Sequence, residues 1–238
     1  MRSYFSQAEF DVRLEWGERG VGLLAPISDI VIIVDVLSFT TCVEIATSRK
    51  AIVYPYRGEL EFAEELARSL DAELAEKKRD AKYSLSPKAM TKIPMGIKLV
   101  LPSPNGSTLS LAAGDTPTLA GCFRNARVAA EAAKTYGQRI AVISAGERWP
   151  DGTLRPSFED LIGAGAIINH LDGKFSPEAQ AAKSAFLAAE ENLKKLMLQC
   201  GSGKELIERG FKQDVLLAAD LNASECVPIL ENGAYKAE

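Results

Sequence analysis

The sequence predicts an α/β fold: a three-layer α/β/α arrangement on a largely parallel or mixed sheet, with a helix-rich C-terminal third. Three observations carry this. Ile30-Val31-Ile32-Ile33-Val34 is continuously apolar and β-branched, as in a parallel strand covered on both faces. Similar short runs recur at 97–101, 116–120 and 139–144, each followed by a turn and an alanine-rich stretch with helical character. Beyond residue 176 the chain reads mainly as helix.

Taken in order, Phe10, Val12, Leu14 and Trp16 alternate with Asp11, Arg13 and Glu15, which predicts an edge or antiparallel strand with one wet face. The run at 30–34 leads to a helix. A charged amphipathic helix is expected over 59–76, and 81–95, carrying Pro87 and Pro94, reads as a long loop that serves as a lid or as part of the site. The strand–helix series through the middle should cross over right-handed. Ser176-Pro177-Glu178 combines an N-cap, a proline at the first helical position and an early acid, so one long helix is expected over 176–199, stopped by Cys200-Gly201. A last helix over 204–209 ends at Gly210, and 214–220 is apolar before Val227-Pro228-Ile229. The reading is one domain over 1–238, or two intimate subdomains divided near 81–96.

With 238 residues, 47% of them hydrophobic, the chain can bury a sizeable core. A net charge of −4 without any lysine or arginine block argues against nucleic-acid binding. Residues 1–20 lack the basic start and apolar run of a secretory signal, and 30–34 is too short to cross a bilayer, so a cytoplasmic protein without membrane contact is expected. The four cysteines form no C-x-x-C pair and read as reduced structural thiols. The single histidine, His170, sits where it would cap a helix end, which disfavours Ser-His-Asp or Cys-His catalysis.

In open α/β sheets ligands sit beyond the carboxyl ends of the strands. Four clusters occupy such positions: Asp35 to Thr41, Pro102 to Thr108, Gly121 to Asn125 and Ala145 to Arg148. Asp35 closes an aliphatic strand, where a carboxylate is costly unless it meets a cation or several donors, although it could also cap the next helix together with Ser38, Thr40 and Thr41. Asn105-Gly106-Ser107-Thr108 makes a tight turn into a helix and suits phosphate, and an ordinary turn with an N-cap explains it equally well. Arg124, at a helix start with Asn125, opposes the helix dipole and reads as kept for an anion, a surface arginine being the alternative.

Glu147, beside Gly146, and the pair Glu159-Asp160 add carboxylates to the same edge, unless the pair merely serves the dipole of its own helix. Such acids beside an arginine and hydroxyl-rich turns fit a hard, oxygen-bound cation such as Mg²⁺. The expected metal ligands are Asp35 and Glu147, Glu159 or Asp160. There is no G-x-x-x-x-G-K-[ST], no strand-linked G-x-G-x-x-G, and Leu37 stands where a D-x-D pair would have its second aspartate.

In this order the clusters resemble the motifs of the 2-phosphosulfolactate phosphatase (ComB-like) family. That family carries a D-V-L-R-A-[ST]-T-like motif after a buried strand, then T-N-G-[ST], an N-A helix start, A-G and an E-D-L-x-x-A-G helix. The counterparts are Asp35 to Thr41, Asn105 to Thr108, Asn125-Ala126, Ala145-Gly146-Glu147 and Glu159 to Gly165. Asp214, Asp220 and Val227-Pro228 are similar to the family's ending. The resemblance implies an α/β/α fold and Mg²⁺-dependent hydrolysis of a phosphate ester on a sulfonated hydroxy acid. Two departures stand out. Ser38 occupies the place of the family arginine, which removes a bidentate anion clamp, and Leu85-Ser86-Pro87 stands near a G-N-S-P segment, with Arg79 in place of an upstream glycine-glutamate-arginine.

The expected mechanism places Mg²⁺ on Asp35 and a second acid, with Thr40, Thr41, Asn105 to Thr108, Arg124, Asn125 and Gly146 around the phosphorylated acid. It requires Asp35 and the Asn105 turn to meet. The rivals are a non-catalytic binding protein for a phosphorylated or sulfonated metabolite and a lyase on a similar acid. A homodimer is expected from the apolar C-terminal third.

Overall fold

In the computed structural model, which describes residues 4–237, the chain is α/β with helices flanking a central mixed sheet. The apolar runs become β1 (Val12–Trp16), β2 (Ile30–Val34), β3 (Ile52–Tyr56), a two-residue β4 (Glu73–Leu74), β5 (Lys98–Pro102), β6 (Thr118–Gly121) and β7 (Ile140–Ser144). A separate antiparallel ribbon joins β8 (Glu147–Arg148) to β9 (Leu154–Arg155), and the chain ends in β10 (Pro228–Glu231) and β11 (Ala234–Ala237).

The nine-stranded sheet has the order β1-β7-β2-β6-β10-β11-β3-β5-β4. Strands β1, β7, β2 and β6 are mutually parallel, as are β3, β5 and β4. The C-terminal hairpin lies antiparallel between these groups, β10 against β6 and β11 against β3. The C-terminal third is therefore not a helical cover alone, since its last segment closes the sheet's centre. Tyr235 on β11 is fully buried, and its hydroxyl shares a 2.8 Å hydrogen bond with Ser110 Oγ.

All of β2 is buried because helices cover both its faces. Ile30, Ile32 and Val34 pack with residues of α6 (Ala126–Tyr136), α7 (Phe158–Ile168) and α8 (Pro177–Ala189). Val31 and Ile33 pack with α1 (Gly17–Leu24) and α5 (Gly106–Ala112). Burying each such side chain is worth roughly 1.5–3 kcal/mol, so this strand anchors whatever follows it. A third cluster joins Phe39, Cys42 and Val43 of α2 (Phe39–Ser48) to Val53, Leu99 and Tyr235.

Several expectations need correction. β1 is an edge strand, one of the two alternatives expected, running parallel to β7, and its second face is only partly wet: Arg13 is 1% exposed and donates to the Ile27 carbonyl and to Ser28 Oγ, while Glu15 is half-buried. The helix expected over 59–76 is α3 (Leu60–Leu70), ended by Asp71 in the left-handed region before β4. The loop over 81–95 contains a short α4 (Pro87–Met90), capped by Ser86 Oγ, which accepts from Ala89 N–H. The long helix over 176–199 breaks at the 3₁₀ turn Glu190–Asn192, where asparagine leaves helical geometry, and resumes as α9 (Leu193–Gln199). The next helix starts earlier than expected, as α10 (Gly201–Glu208), because Cys200 caps it through Sγ; α11 (Lys212–Ala218) follows. Among the described residues no helix is long and apolar enough to cross a membrane.

Candidate active site

Asp35 is the first residue beyond β2 and is 6% exposed. Its Oδ1 accepts the Phe39 N–H at 3.2 Å and its Oδ2 accepts the Gly106 N–H at 2.8 Å. The second bond brings the Asn105 turn onto Asp35, as expected. Residue 106 has to be glycine, since a Cβ there would overlap the Phe39 ring.

The neighbouring hydroxyls are used within the turns. Thr40 Oγ1 accepts the Asp35 N–H and donates to the Asp35 carbonyl, and Thr41 Oγ1 donates to the Val36 carbonyl. Ser107 Oγ donates to the Leu101 carbonyl. These side chains hold Asp35 in place instead of facing a ligand. The Leu37–Ser38 peptide is cis.

Three further carboxylates approach Asp35. Glu147, half-buried at the start of β8, accepts from Asn105 Nδ2 at 3.0 Å. Its pKa is pushed up to about 7, chiefly by burial and then by Asp35 and Glu159. Asp35 rises to about 6, chiefly by burial, with its two N–H donors pulling back and Glu159 adding to the rise. Glu159 is 2% exposed and its Oε2 has no hydrogen-bond partner.

Asp160 behaves differently. Its Oδ1 accepts the Val36 N–H, and its Oδ2 accepts the Gly146 N–H and the Ser157 hydroxyl, all within 2.7–2.8 Å. It fastens the turns after β2 and β7 together, and it does not line the cavity around Asp35. The Gly146 N–H is thereby committed to Asp160 as well.

The basic side of the site comes from an unexpected direction. A cavity of about 210 Å³ is lined by Asp35, Ser38, Asn105 and Glu147, and also by Arg79, Ser103 and Arg209. Arg79 Nε donates to Asp214 Oδ2 at 2.7 Å and its Nη2 donates to Ser38 Oγ at 2.5 Å. Asp214, 1% exposed, also accepts from Ser86 Oγ and the Lys88 N–H, so α11 pins the 79–88 segment over the site. Ser103 belongs to the cluster expected after β5, whereas Arg209 was not expected here and Asp214 was noted only for its likeness to the family's ending. Nothing marks Arg209 or the role of Asp214 along the chain, because they reach this region only through the packing of α10 and α11.

Arg124 and Asn125 correct the expectation of anion binding. Arg124 Nε pairs with buried Glu44 of α2 at 2.5 Å, and the side chain does not line the cavity around Asp35. A buried carboxylate in α2 captures it more effectively than an exposed ligand would. Asn125 accepts the Cys122 N–H and donates to the carbonyls of Ala120 and Cys226, which leaves it no free polar group. Thr108 lines a second cavity on the other side of Asn105.

Among the described residues no three Asp, Glu, His or Cys side chains converge tightly enough to cage an ion. Mg²⁺ does not require such a cage, because it is commonly held by one or two carboxylates with water and substrate oxygens. The unpartnered Glu159 Oε2, within electrostatic reach of Asp35 and Glu147, fits a cation, since no donor satisfies that buried oxygen.

Residues 23–233 match the model of a family described as 2-phosphosulpholactate phosphatase. The 2-phosphosulfolactate phosphatase of Methanothermobacter thermautotrophicus is 29% identical over 140 residues, covering 58% of each chain. A probable 2-phosphosulfolactate phosphatase of Carboxydothermus hydrogenoformans is 31% identical over 137 residues, 56% of this chain and 55% of that one. Another, from Pseudothermotoga lettingae, is 23% identical over 133 residues, 56% and 57% respectively. The chain thus spans a little over half the length of the curated relatives it matches.

Proposed function

Because the chain belongs to the 2-phosphosulpholactate phosphatase family, we propose that it hydrolyses the phosphate monoester of a small hydroxy acid, such as 2-phosphosulfolactate, with Mg²⁺ at the carboxylate cluster. The observation that carries this reading is the joint at Asp35. One buried carboxylate binds the N–H of the Asn105 turn while two others crowd it, beside an arginine and inside a cavity open to a small anion.

Asp35 and Glu147 line the cavity and would hold the ion, with Glu159 adding negative charge within electrostatic reach of them. Bound there, Mg²⁺ would neutralise phosphoryl charge and make water more acidic. The chain's own groups do the rest. Two N–H donors fix Asp35 before substrate arrives, so no reorganisation is needed during reaction. Glu147 is held in place by Asn105, and burial with its acidic neighbours pushes its carboxyl up to about 7, so an ion bound there would displace a proton from it. Arg79 brings a guanidinium to Ser38, the place where the family motif has its arginine, and with Arg209 it would meet the equatorial phosphoryl oxygens or the acid's second anionic group.

The test is inorganic phosphate release from a panel of phosphorylated hydroxy acids, with and without Mg²⁺. Release that chelation abolishes and Mg²⁺ restores supports the reading. Binding of the esters without any release contradicts it and favours a non-catalytic binding protein.

A further inference from the structure

A larger cavity of about 580 Å³ adjoins the one around Asp35 and shares Pro104, Asn105 and Glu147 with it. The shared residues border both spaces, so the candidate site and this cavity adjoin along them. Its character is different. Trp16, Leu109, Ala145 and Leu154 make up much of its lining, and two of the charges on it, Glu18 and Arg148, neutralise each other at 3.0 Å.

The space is built by specific backbone choices. The ribbon β8–β9 folds over it, placing Glu147 on the shared border and Leu154 in the cavity, where Leu154 is 41% exposed. Gly146 has a φ of +68°, and a Cβ there would press on Leu154 Cδ1 at 2.8 Å and on the Arg155 carbonyl at 2.9 Å. At Gly17, with φ +60°, a Cβ would lie 3.4 Å from the same Leu154 Cδ1. Arg19, Thr108 and Thr153 add polar groups to the lining, but most of its exposed surface is apolar, and a cavity of this size and make-up suits a small molecule.

We infer that this cavity is the compartment for an apolar group, aryl or branched alkyl, carried on the alcohol side of the phosphate ester. Esters that carry such a group are then preferred over those of an unsubstituted three-carbon acid. Its phosphate lies by Asp35 and its apolar part lies over Trp16 and Leu154. The identity of the ester rests on the phosphatase reading, whereas the compartment's preference for apolar acids does not.

The experiment has two arms. The chain contains two tryptophans, Trp16 and Trp149, so in a Trp149→Phe background the fluorescence of Trp16 reports on the cavity directly. Titration with 3-phenyllactate and with lactate, neither carrying phosphate, should show at least tenfold tighter binding of the phenyl acid. Leu154→Glu, at a position exposed enough to tolerate it, should erase that preference. In the second arm, kcat/KM for phosphate release should favour 2-phospho-3-phenyllactate over 2-phospholactate at least tenfold, and the ratio should fall towards one in Leu154→Glu. Equal binding of the two acids, or a preference that survives Leu154→Glu, overturns the compartment. Absence of phosphate release from both esters overturns the phosphatase reading, and the fluorescence arm then decides the compartment alone.

Discussion

Glu159 and Asp160 are adjacent in sequence, open the same helix and are both almost fully buried, yet their surroundings assign them opposite tasks. Asp160 accepts three hydrogen bonds from two backbone turns and a serine. Glu159 keeps one oxygen with no partner and lies within electrostatic reach of Asp35 and Glu147. Burial alone therefore does not mark a reactive acid. What separates them is whether donors already satisfy the carboxylate, because a satisfied group holds structure and an unsatisfied one calls for a cation.

The largest effect expected of this difference is catalytic. Asp35→Asn should lower phosphate release by about 10³-fold, the scale of losing a central electrostatic group, while the melting temperature stays within a few degrees of wild type. A comparable fall in stability would make Asp35 a second Asp160. Asp160→Ala should do the reverse. It orphans the Val36 and Gly146 N–H groups and the Ser157 hydroxyl, so denaturant unfolding should show a loss of about 3 kcal/mol.

Two arginines extend the comparison. Arg124 is paired to buried Glu44 away from the cavity, whereas Arg79 reaches into it. Arg124→Leu should cost about 3 kcal/mol in stability, because it strands a buried charge, and leave KM for the ester unchanged. A raised KM would return Arg124 to the site.

The smallest effect is a pH dependence. The folded-state pKa values of Asp35, about 6, and Glu147, about 7, lie above those of free carboxylates. Between pH 4 and those values the folded protein holds protons that the unfolded chain has released, so stability falls as pH rises through the window. Without divalent ions, unfolding should be harder at pH 5 than at pH 7.5 by on the order of 2 kcal/mol. Added Mg²⁺ should remove the difference. A metal-free protein more stable at pH 7.5 would contradict the crowding of these acids.

The fold was legible where burial on two faces leaves its mark, as at 30–34, because a strand covered on both sides cannot hide its composition. Asp35, the Asn105 turn and Glu147 were legible for a related reason: they stand directly after such strands, at the edge where ligands collect. The sequence could not show that Thr40, Thr41, Asn125 and Asp160 serve neighbouring backbone, since a hydroxyl or carboxylate looks the same whether it faces a ligand or a turn. Nor could it show Arg79 at Ser38. That contact depends on Asp214, which lies 135 positions further along and draws the segment inward. The hairpin in the sheet's centre escaped notice because its strands have only four residues each and follow a run of helices.

The central claim is that Asp35, Glu147 and Glu159 repel one another because a divalent ion belongs among them. Calorimetric titration with Mn²⁺, competed by Mg²⁺, tests it most directly. Wild type should bind one ion per chain, and Asp35→Asn should weaken that binding at least tenfold while Arg124→Leu leaves it intact. Undiminished binding in Asp35→Asn, or no binding to wild type in the presence or absence of inorganic phosphate, would contradict the account.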